Sequence, residues 1–387
     1  MGVRRHRRKS RGLLLTVCGL LTACGPLLTG CGSSIGGPAI SPQGSATTPA
    51  TARQPTARST PPHDVALRRP LRSPQVAVTA AGVYVAWQVP AHGSVVRSEL
   101  ARVDMATGRI EAVRRLGTVF FDDAMAAAGE LWVTTWSTTG ETLLRLNPDT
   151  LTVTGRWRVG TAGGAGWDAQ VLAVAGGGLW VAGGNRLLRL SLPGGRVMAS
   201  VALAGAASSD LSSNAAGSTL VVGEADSGGR GAVQRRDPVT GALLASHPIL
   251  GVAAPVVAGP AGSSVWVSEA TGMMGYVQRL DATSMTAHAS DCEEGRTTAT
   301  CVEGTNAITA RLADGLLWIS QPVGGNSRNY CADPASGQEL APVRLPQPNQ
   351  DEVLAISAHR IFYAAPGPQA SQYVRDEAIP AACGAGR

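Results

Sequence analysis

The sequence predicts an all-β fold made of seven copies of one four-stranded unit, and three observations support this prediction. A short apolar phrase centred on an aromatic residue recurs along the chain, for example as GELWVTTW at 129–136 and GGLWVAGG at 177–184. The copies follow one another at intervals of 41 to 52 residues. Further apolar runs, separated by turn sequences, flank these copies.

The anchor of each copy is the residue in the position of Trp132. The seven anchors are Tyr84, Trp132, Trp180, Val221, Trp266, Trp318 and Phe362. Each lies in a short run of β-branched and aromatic residues, which is the composition of a strand. Four strands with a period near 45 residues are typical of a blade, so the repeat predicts a seven-bladed β-propeller. We expect the anchors to lie on second strands and to pack between adjacent blades. The alternative is that the aromatic residues are repeated because they bind a ligand.

The other strands are placed relative to the anchor. A first strand, such as QVAVTA or DAMAAA, lies roughly ten residues before it, and a third, such as TLLRLNPDT, roughly ten to fifteen after it. A turn then leads to a fourth strand. In RDPVTG at 236–241, Asp237 should accept backbone hydrogen bonds, Pro238 fixes φ for a type I turn, and Gly241 supplies a left-handed residue.

The two ends of the repeat region predict how the ring closes. The last copy supplies three strands, EVLAIS, RIFYAA and QYVRDEAI, before the chain runs out in Pro and Gly. The segment VALRRPLR at 65–72 precedes the first strand of the first copy and has the composition of a fourth strand. We therefore predict that this segment pairs into the seventh blade, which removes a free edge.

The N-terminus predicts export. Six basic side chains and no acid precede the apolar run at 13–30, so residues 1–30 are typical of a signal peptide. Its end, LLTGCGSS, resembles the lipobox of bacterial lipoproteins, which implies that a diacylglyceryl group, and palmitate with it, is attached to Cys31. Cys24 in LTAC is a second candidate, and an ordinary secreted protein is the alternative. Residues 31–62 predict a flexible Ser/Thr/Pro-rich tether and residues 63–387 the propeller, held at the extracytoplasmic face of the cell membrane.

Charge and motifs narrow the function classes. Six of the 33 basic residues precede residue 31, which leaves 27 arginines against 27 acids in the rest of the chain. The single lysine, Lys9, is lost with the signal, so a P-loop lysine or a Schiff-base lysine is excluded. A neutral mature chain also lacks the basic surface of a nucleic-acid-binding protein. No HExxH, GxSxG, CxxC or Walker motif is present.

Over residues 63–387 the repeats resemble the extracellular YVTN-type and quinoprotein-like propeller families. That resemblance implies the blade architecture and says little about function. A pyrroloquinoline quinone enzyme is disfavoured because that family docks tryptophan at the end of the fourth strand, whereas the tryptophans here are on the second. Streptogramin lyases and some lactonases share this kind of propeller, but no local motif transfers their residues to this chain.

One polar position recurs just ahead of the first strands, where each incoming loop should end at the mouth of the central channel. The residues at this position are Asp123, Asp168, Asp210, Asn306 and Asp351, with Ser73 or Gln75 in the first blade. Their oxygens suit Ca²⁺ or Mg²⁺, and Phe120, Phe121 and Trp167 would wall a small-molecule pocket beside them. The alternative is that Asp and Asn begin strands only because they are good turn residues.

With Cys31 lipidated, the cysteines after it are Cys292, Cys301, Cys331 and Cys383, an even set for an oxidising compartment. Four cysteines allow three connectivities. We predict Cys292–Cys301 as a local pair in the connection between blades five and six, where Glu293, Glu294 and Glu303 make an acidic lip. That leaves Cys331, on the third strand of blade six, to pair with Cys383 in the tail after blade seven.

Together these features favour a membrane-tethered propeller that binds a small ligand or an envelope protein and performs no chemistry. The other hypothesis is a metal-assisted lyase or hydrolase acting at the channel mouth. We expect no resident cofactor, with Ca²⁺ or Mg²⁺ at the acidic ring as the exception, and no nucleic-acid partner. If the acidic side chains converge beside a histidine, the enzyme is favoured. If apolar side chains fill the channel instead, the binding protein is favoured.

Overall fold

A computed structural model of the chain describes most of residues 71–383. The described ranges are 71–90, 96–104, 107, 109–160, 171–204, 206–226, 230–259, 262–271, 274–287, 301–305, 309–313, 315–323, 326–346, 352–356, 360–367 and 371–383. Among these residues no helix is long and apolar enough to cross a membrane. The predicted signal peptide, the tether and Cys31 lie outside the described residues.

The described residues form 27 strands in seven antiparallel sheets, arranged in a ring as a β-propeller. Blade 1 holds β1 (Arg72–Thr79), β2 (Gly82–Pro90), β3 (Val96–Asp104) and β4 (Arg109–Gly117). Blade 2 holds β5 (Phe120–Ala127), β6 (Glu130–Ser137), β7 (Gly140–Leu146) and β8 (Val153–Gly160). Blade 3 holds β9 (Leu172–Ala175), β10 (Gly178–Gly183), β11 (Arg186–Ser191) and β12 (Val197–Ala202). Blade 4 holds β13 (Ala206–Ser213), β14 (Leu220–Asp226), β15 (Arg230–Arg236) and β16 (Leu243–Leu250).

The remaining blades follow the same pattern of consecutive strands. Blade 5 holds β17 (Val252–Ala258), β18 (Ser264–Thr271), β19 (Met274–Asp281) and β20 (Cys301–Thr305). Blade 6 holds β21 (Thr309–Ala313), β22 (Leu316–Val323), β23 (Asn326–Ala332) and β24 (Glu339–Val343). Blade 7 holds β25 (Glu352–Ile356), β26 (Arg360–Pro366) and β27 (Gln372–Ala378), followed by a 3₁₀ turn at Ala381–Cys383. The predicted fold class is therefore confirmed.

The seven anchors lie on the second strands, as predicted, and they pack between blades. All seven are buried. The indole Nε1 of Trp180 in blade 3 donates a 2.9 Å hydrogen bond to the carbonyl oxygen of Pro238 in the 3–4 turn of blade 4. Trp266 in blade 5 bonds Pro334 of blade 6 in the same way. The anchor repeat is thus a structural joint between neighbouring blades.

The turn between third and fourth strands has the predicted chemistry. In blade 4, Asp237 Oδ1 accepts hydrogen bonds from the backbone amides of Val239 and Thr240 at 3.0 and 2.7 Å. Gly241 closes this turn with φ of 75°. A Cβ at this glycine would lie 2.8 Å from the Trp180 ring, so the left-handed turn also makes room for the anchor of blade 3. Local turn chemistry and inter-blade packing therefore require the same residue.

Blade 7 contains three strands of its own, and the N-terminal segment pairs with its outer strand. Leu71 and Gln372 of β27 exchange two backbone hydrogen bonds, of 2.8 and 2.7 Å, and the Leu71 side chain is buried. A Cys331–Cys383 disulfide links β23 of blade 6 to the turn after β27. The predicted closure therefore holds at Leu71, while residues 63–70 lie outside the described residues.

The prediction for Cys301 was wrong about its element. Cys301 begins β20, the fourth strand of blade 5, and does not lie in the connection to blade 6. After the turn that follows β19, Ala287 makes a single bridge to Leu280, and the chain pairs with β19 again from Cys301 onward. The extra length therefore falls within blade 5, between its third and fourth strands. Cys292, Glu293 and Glu294 lie outside the described residues, so the Cys292–Cys301 pair stays a prediction.

Candidate functional site

A cavity of about 320 Å³ lies among the first strands of the blades. Its lining comes mainly from β1, β5, β21 and β25, which belong to blades 1, 2, 6 and 7. First strands approach the axis of a propeller because the blades are arranged radially around it. The cavity is therefore the part of the central channel that these blades enclose.

A β-bulge in β5 sets the position of Asp122 at this cavity. Phe121 is paired with Thr135 of β6 and Asp123 with Thr134, so Asp122 is the extra residue in the ladder. A bulge breaks the alternation of side chains along a strand and redirects the side chain at that point. Asp122 consequently lines the cavity, as do its neighbours Phe121 and Asp123.

The Asp122 carboxyl lies in an electrostatic environment that disfavours its charge. Burial is the largest cause that raises the pKa of Asp122 well above its ordinary value, and the carboxylates of Asp123, Glu141 and Asp210 raise it further. All of these causes raise the pKa of Asp122. Asp122 is therefore a carboxyl that stays protonated to unusually high pH, unless a cation enters the cavity.

Asp123 has a different role, since its carboxylate joins two blades. Asp123 Oδ2 accepts hydrogen bonds from the backbone amides of Val171 and Leu172, at 3.1 and 3.2 Å, at the start of the first strand of blade 3. Its Oδ1 accepts one from Ala124 at 2.7 Å. Burial raises the pKa of Asp123 to about 7, against the lowering effect of these amides and of Arg311. Asp123 therefore connects blades 2 and 3 by hydrogen bonds at the wall of the cavity.

Side-chain oxygens connect other pairs of neighbouring blades by hydrogen bonds in the same manner. Ser212 Oγ of blade 4 accepts a 2.9 Å hydrogen bond from the amide of Val257 in blade 5. Ser268 Oγ of blade 5 accepts one of 3.0 Å from Ala310 in blade 6. In each case the amide belongs to the first strand of the following blade, and a polar side chain of the preceding blade satisfies it.

Arg311 supplies the positive charge at the cavity from the opposite side. It lies on β21 of blade 6, and its Nη1 donates a hydrogen bond to the carbonyl oxygen of Leu354 in blade 7. Leu354 is itself the extra residue of a bulge in β25. The guanidinium lies close enough to Asp123 to lower the pKa of that carboxyl. Arg311 thus balances Asp123 across the cavity.

A small aromatic chamber adjoins the cavity. It is lined by Trp87, Phe120, Phe121 and Trp136, and Phe121 and Asp122 line both spaces. The rings of Phe120 and Trp136 stack with centroids 4.3 Å apart and an interplanar angle of 16°. The chamber has room for about one water molecule, roughly 20 Å³. The carboxyl of Asp122 therefore lies where an aromatic wall meets a polar cavity.

The predicted ring of channel-mouth residues is only partly within the described structure. Gln75, Asp123 and Asp210 occupy equivalent positions in the first strands of their blades. Each is paired across the sheet with the second-strand residue that comes two places after the anchor of that blade. All three lie within or next to regular strand pairing, rather than ahead of the strands as predicted. Residues predicted for the ring or its wall but outside the described residues are Asp168, Asn306, Asp351 and Trp167.

Of the five residues predicted for the metal site, two therefore lie within the described part of the chain. Among the described residues, no group of three or more His, Cys, Asp or Glu side chains is arranged to hold a metal ion. Phe120 and Phe121 line the small aromatic chamber together with Ser73 and Gln75 of β1, and a small-molecule pocket walled by these rings stays a prediction. Ca²⁺ or Mg²⁺ at the channel mouth stays a prediction.

Sequence reasoning missed Asp122 and Arg311. A signal for Asp122 was present, because FFDD places two consecutive acids inside an otherwise apolar strand. In regular alternation one of the two must face each side, and the bulge decides which. Arg311 gave no local signal, because its place at the cavity depends on how blade 6 packs against blade 7.

No protein-family model matches the chain, and no curated protein matches it. Among solved structures, the chain is similar to one described as the crystal structure of BamB from Moraxella catarrhalis. The TM-score is 0.36 and the sequence identity 17%, over 69% of this chain and 93% of that chain.

Proposed function

We propose that this chain is a membrane-tethered extracytoplasmic binding protein that holds a small ligand in the central cavity of its propeller and performs no chemistry on it. The observation that carries this proposal is the cavity itself. At about 320 Å³ it has the size of small-molecule sites, and its wall combines apolar side chains with three ionisable ones, those of Asp122, Asp123 and Arg311. Ligands bind at such places because apolar contact supplies affinity and a few polar groups fix orientation.

The location part of the proposal rests on the N-terminal sequence. A basic segment, an apolar run and LLTGCGSS favour export followed by lipidation of Cys31. The 32 residues from 31 to 62 would then separate the propeller from the membrane surface. A binding site in the central channel needs such clearance, because its two openings lie on the flat faces of the ring.

A second candidate, a lyase or hydrolase, is favoured by one observation. A carboxyl with a raised pKa beside a cavity suits general acid catalysis, and Asp122 is such a group. The sequence hypothesis required a histidine close to the acids. His247, the histidine within the described residues, lies on β16, an outer strand, and is not among the residues that line the cavity.

The proposal is tested with the full-length chain in detergent. A set of small molecules of positive, negative and zero charge is screened by ligand-observed NMR. Ala126 lines the cavity, so the ring added by Ala126→Phe should obstruct it and weaken binding. Ala202 is exposed on the outer strand β12, and Ala202→Phe should leave binding unchanged.

Binding that is not weakened by Ala126→Phe would place the ligand elsewhere on the molecule and would contradict the proposal. Turnover of a bound compound that is lost in Asp122→Asn would favour the enzyme. Affinity capture from the native envelope addresses the remaining alternative, a protein partner. A partner captured equally well by the wild type and by Ala126→Phe would show that the working surface is outside the cavity.

A further inference from the structure

The described residues that line the central cavity include two carboxyl groups, those of Asp122 and Asp123, and one arginine, Arg311. Arg311 and Asp123 lie across from each other and offset one another, and Arg311 also donates to the carbonyl of Leu354. Asp122 lines the same cavity, and the electrostatic effect of Asp123, Glu141 and Asp210 disfavours its charge. Within the described part of the chain, no group donates a hydrogen bond to Asp122 and no arginine pairs with it. A positively charged ligand would complete this arrangement.

The wall beside Asp122 favours an organic cation over a bare metal ion. Phe121 is mostly buried and lines the cavity, and the stacked pair of Phe120 and Trp136 lies just behind it. Aromatic faces attract ammonium groups through the ring quadrupole, and this attraction grows when water is excluded. A hard divalent ion needs roughly six or more oxygen ligands. Among the described residues of this wall, two carboxyl groups are available, Asp122 and Asp123.

The cavity also has room for such a ligand. The cavity, at about 320 Å³, has about sixteen times the volume of the adjoining chamber, which has room for about one water molecule. It therefore accepts an ammonium group together with an alkyl chain of several carbons. Apolar lining from Val76, Val78 and Ile356 on β1 and β25 would contact that chain.

We infer that the ligand of the central cavity is an organic cation whose ammonium group binds Asp122 and the neighbouring aromatic wall, while its alkyl part contacts the first strands of blades 1 and 7. This inference rests on the proposed function, because it names the ligand class for the same cavity. Asp122 fixes the charge of the ligand, and Phe121 with the adjoining chamber favours a substituted nitrogen. Asp123 and Arg311 keep their structural roles in this assignment.

The test uses cations and their neutral isosteres. Isothermal titration calorimetry compares choline with 3,3-dimethylbutan-1-ol, and butylamine with butan-1-ol, on the full-length chain. We expect each cation to bind about tenfold or more tightly than its neutral isostere, because a buried carboxylate and aromatic faces both select charge. Asp122→Asn keeps the shape of the site and should remove this preference. Phe121→Leu should weaken choline more than butylamine.

Matched controls separate the failure of this inference from failure of the proposed function. Asp149 is an exposed carboxylate in the turn of blade 2, and Asp149→Asn should bind like the wild type. Equal binding of cation and isostere, or an unchanged preference in Asp122→Asn, would overturn the ligand class. If anions or neutral compounds bind in a manner weakened by Ala126→Phe while both cations fail, the cavity still binds ligand but the class is wrong. Ca²⁺ binding that competes with choline and is lost in Asp122→Asn would overturn it in favour of a metal.

Discussion

The indole Nε1 of Trp180 lies 2.9 Å from the carbonyl oxygen of Pro238, although the two residues belong to different blades. Tyr84 and Pro148 repeat this relationship between blades 1 and 2, with a distance of 3.1 Å. The acceptor is in each case the proline of the 3–4 turn in the following blade. Each joint therefore depends on two repeated sequence features, the aromatic anchor and the turn proline, that lie 58 or 64 residues apart.

We expect Trp180→Phe to destabilise the propeller more than Trp132→Phe does. Both changes remove a similar buried area, but Trp132 Nε1 bonds Ala127 of its own blade at 3.4 Å, which is a weaker hydrogen bond. The loss of the Trp180 bond leaves the Pro238 carbonyl without its partner, which costs about 1–2 kcal/mol more. Urea unfolding followed by circular dichroism measures the difference. Equal losses would show that the indole contributes by packing alone.

The anchors and turns could be predicted from the sequence because their chemistry is local. A strand composition around Trp180 and a turn such as RDPVTG each need only a few neighbouring residues. The closing strand at Leu71 could be predicted because the seventh repeat lacks a fourth strand of its own. These features follow from counting repeats, which is insensitive to small errors in strand boundaries.

The candidate site could be predicted only in part, and the reasons are physical. Asp123 was identified and assigned to the channel, whereas its oxygens bind the amides of Val171 and Leu172 in the next blade. The residue beside it, Asp122, was missed because a bulge shifts the alternation by one place. Cys301 was misplaced because the long insertion in blade 5 separates it from the rest of that blade, so the spacing resembled a connection.

The stability of the protein should fall as pH rises from about 4 to 7, in part because of Asp123. Its pKa is raised in the fold to about 7, from an ordinary value of 3.8. The stabilisation is therefore complete below the pKa of the unfolded chain, and it is lost as pH rises through the folded value. One pKa unit corresponds to about 1.4 kcal/mol, so the effect is large enough to measure.

Asp123→Asn tests this relation. The amide oxygen of Asn can still accept from Val171 and Leu172 and carries no charge to bury, while its amide nitrogen faces the Ala124 N–H and loses that hydrogen bond at every pH. Relative to the wild type, the variant should gain stability between pH 4 and 7 and keep that gain above pH 7. Denaturant unfolding at several pH values measures it, with Glu130→Gln as the control, because the Glu130 side chain makes no hydrogen bond or ion pair within the described residues. If the difference in the free energy of unfolding between variant and wild type does not change with pH, the raised pKa is not that of Asp123.

Lipidation at Cys31 is predicted from LLTGCGSS and concerns residues outside the described part of the chain. Cys31→Ser should release the protein from membranes or leave its signal peptide uncleaved. Metabolic labelling with palmitate, followed by membrane fractionation, measures this, and Cys24→Ser is the matched control. If Cys31→Ser still incorporates palmitate while Cys24→Ser does not, the anchor is Cys24.

Blade 7 is held on both sides by contacts with its neighbours. We therefore predict that the losses of thermal stability on removing each of these two contacts will not be additive. On one side the segment ending at Leu71 pairs with Gln372. On the other, the Cys331–Cys383 bond ties the C-terminal turn to blade 6 and spans 52 residues. A cross-link over a loop of that length stabilises by roughly 4 kcal/mol in the loop-entropy description.

We therefore compare a chain lacking residues 63–71, the Cys383→Ser variant and the combination of both. Each single change should lower the thermal midpoint, because each frees one side of blade 7. Once one side is free, the other contact holds a blade that already detaches more easily, so the combined loss should be smaller than the sum of the two. Deletion of nine tether residues, 41–49, is the control and should leave the midpoint unchanged. Additive losses would mean that the two contacts stabilise separate parts of the ring, and an unchanged midpoint after deleting 63–71 would mean that the Leu71 pairing does not close it.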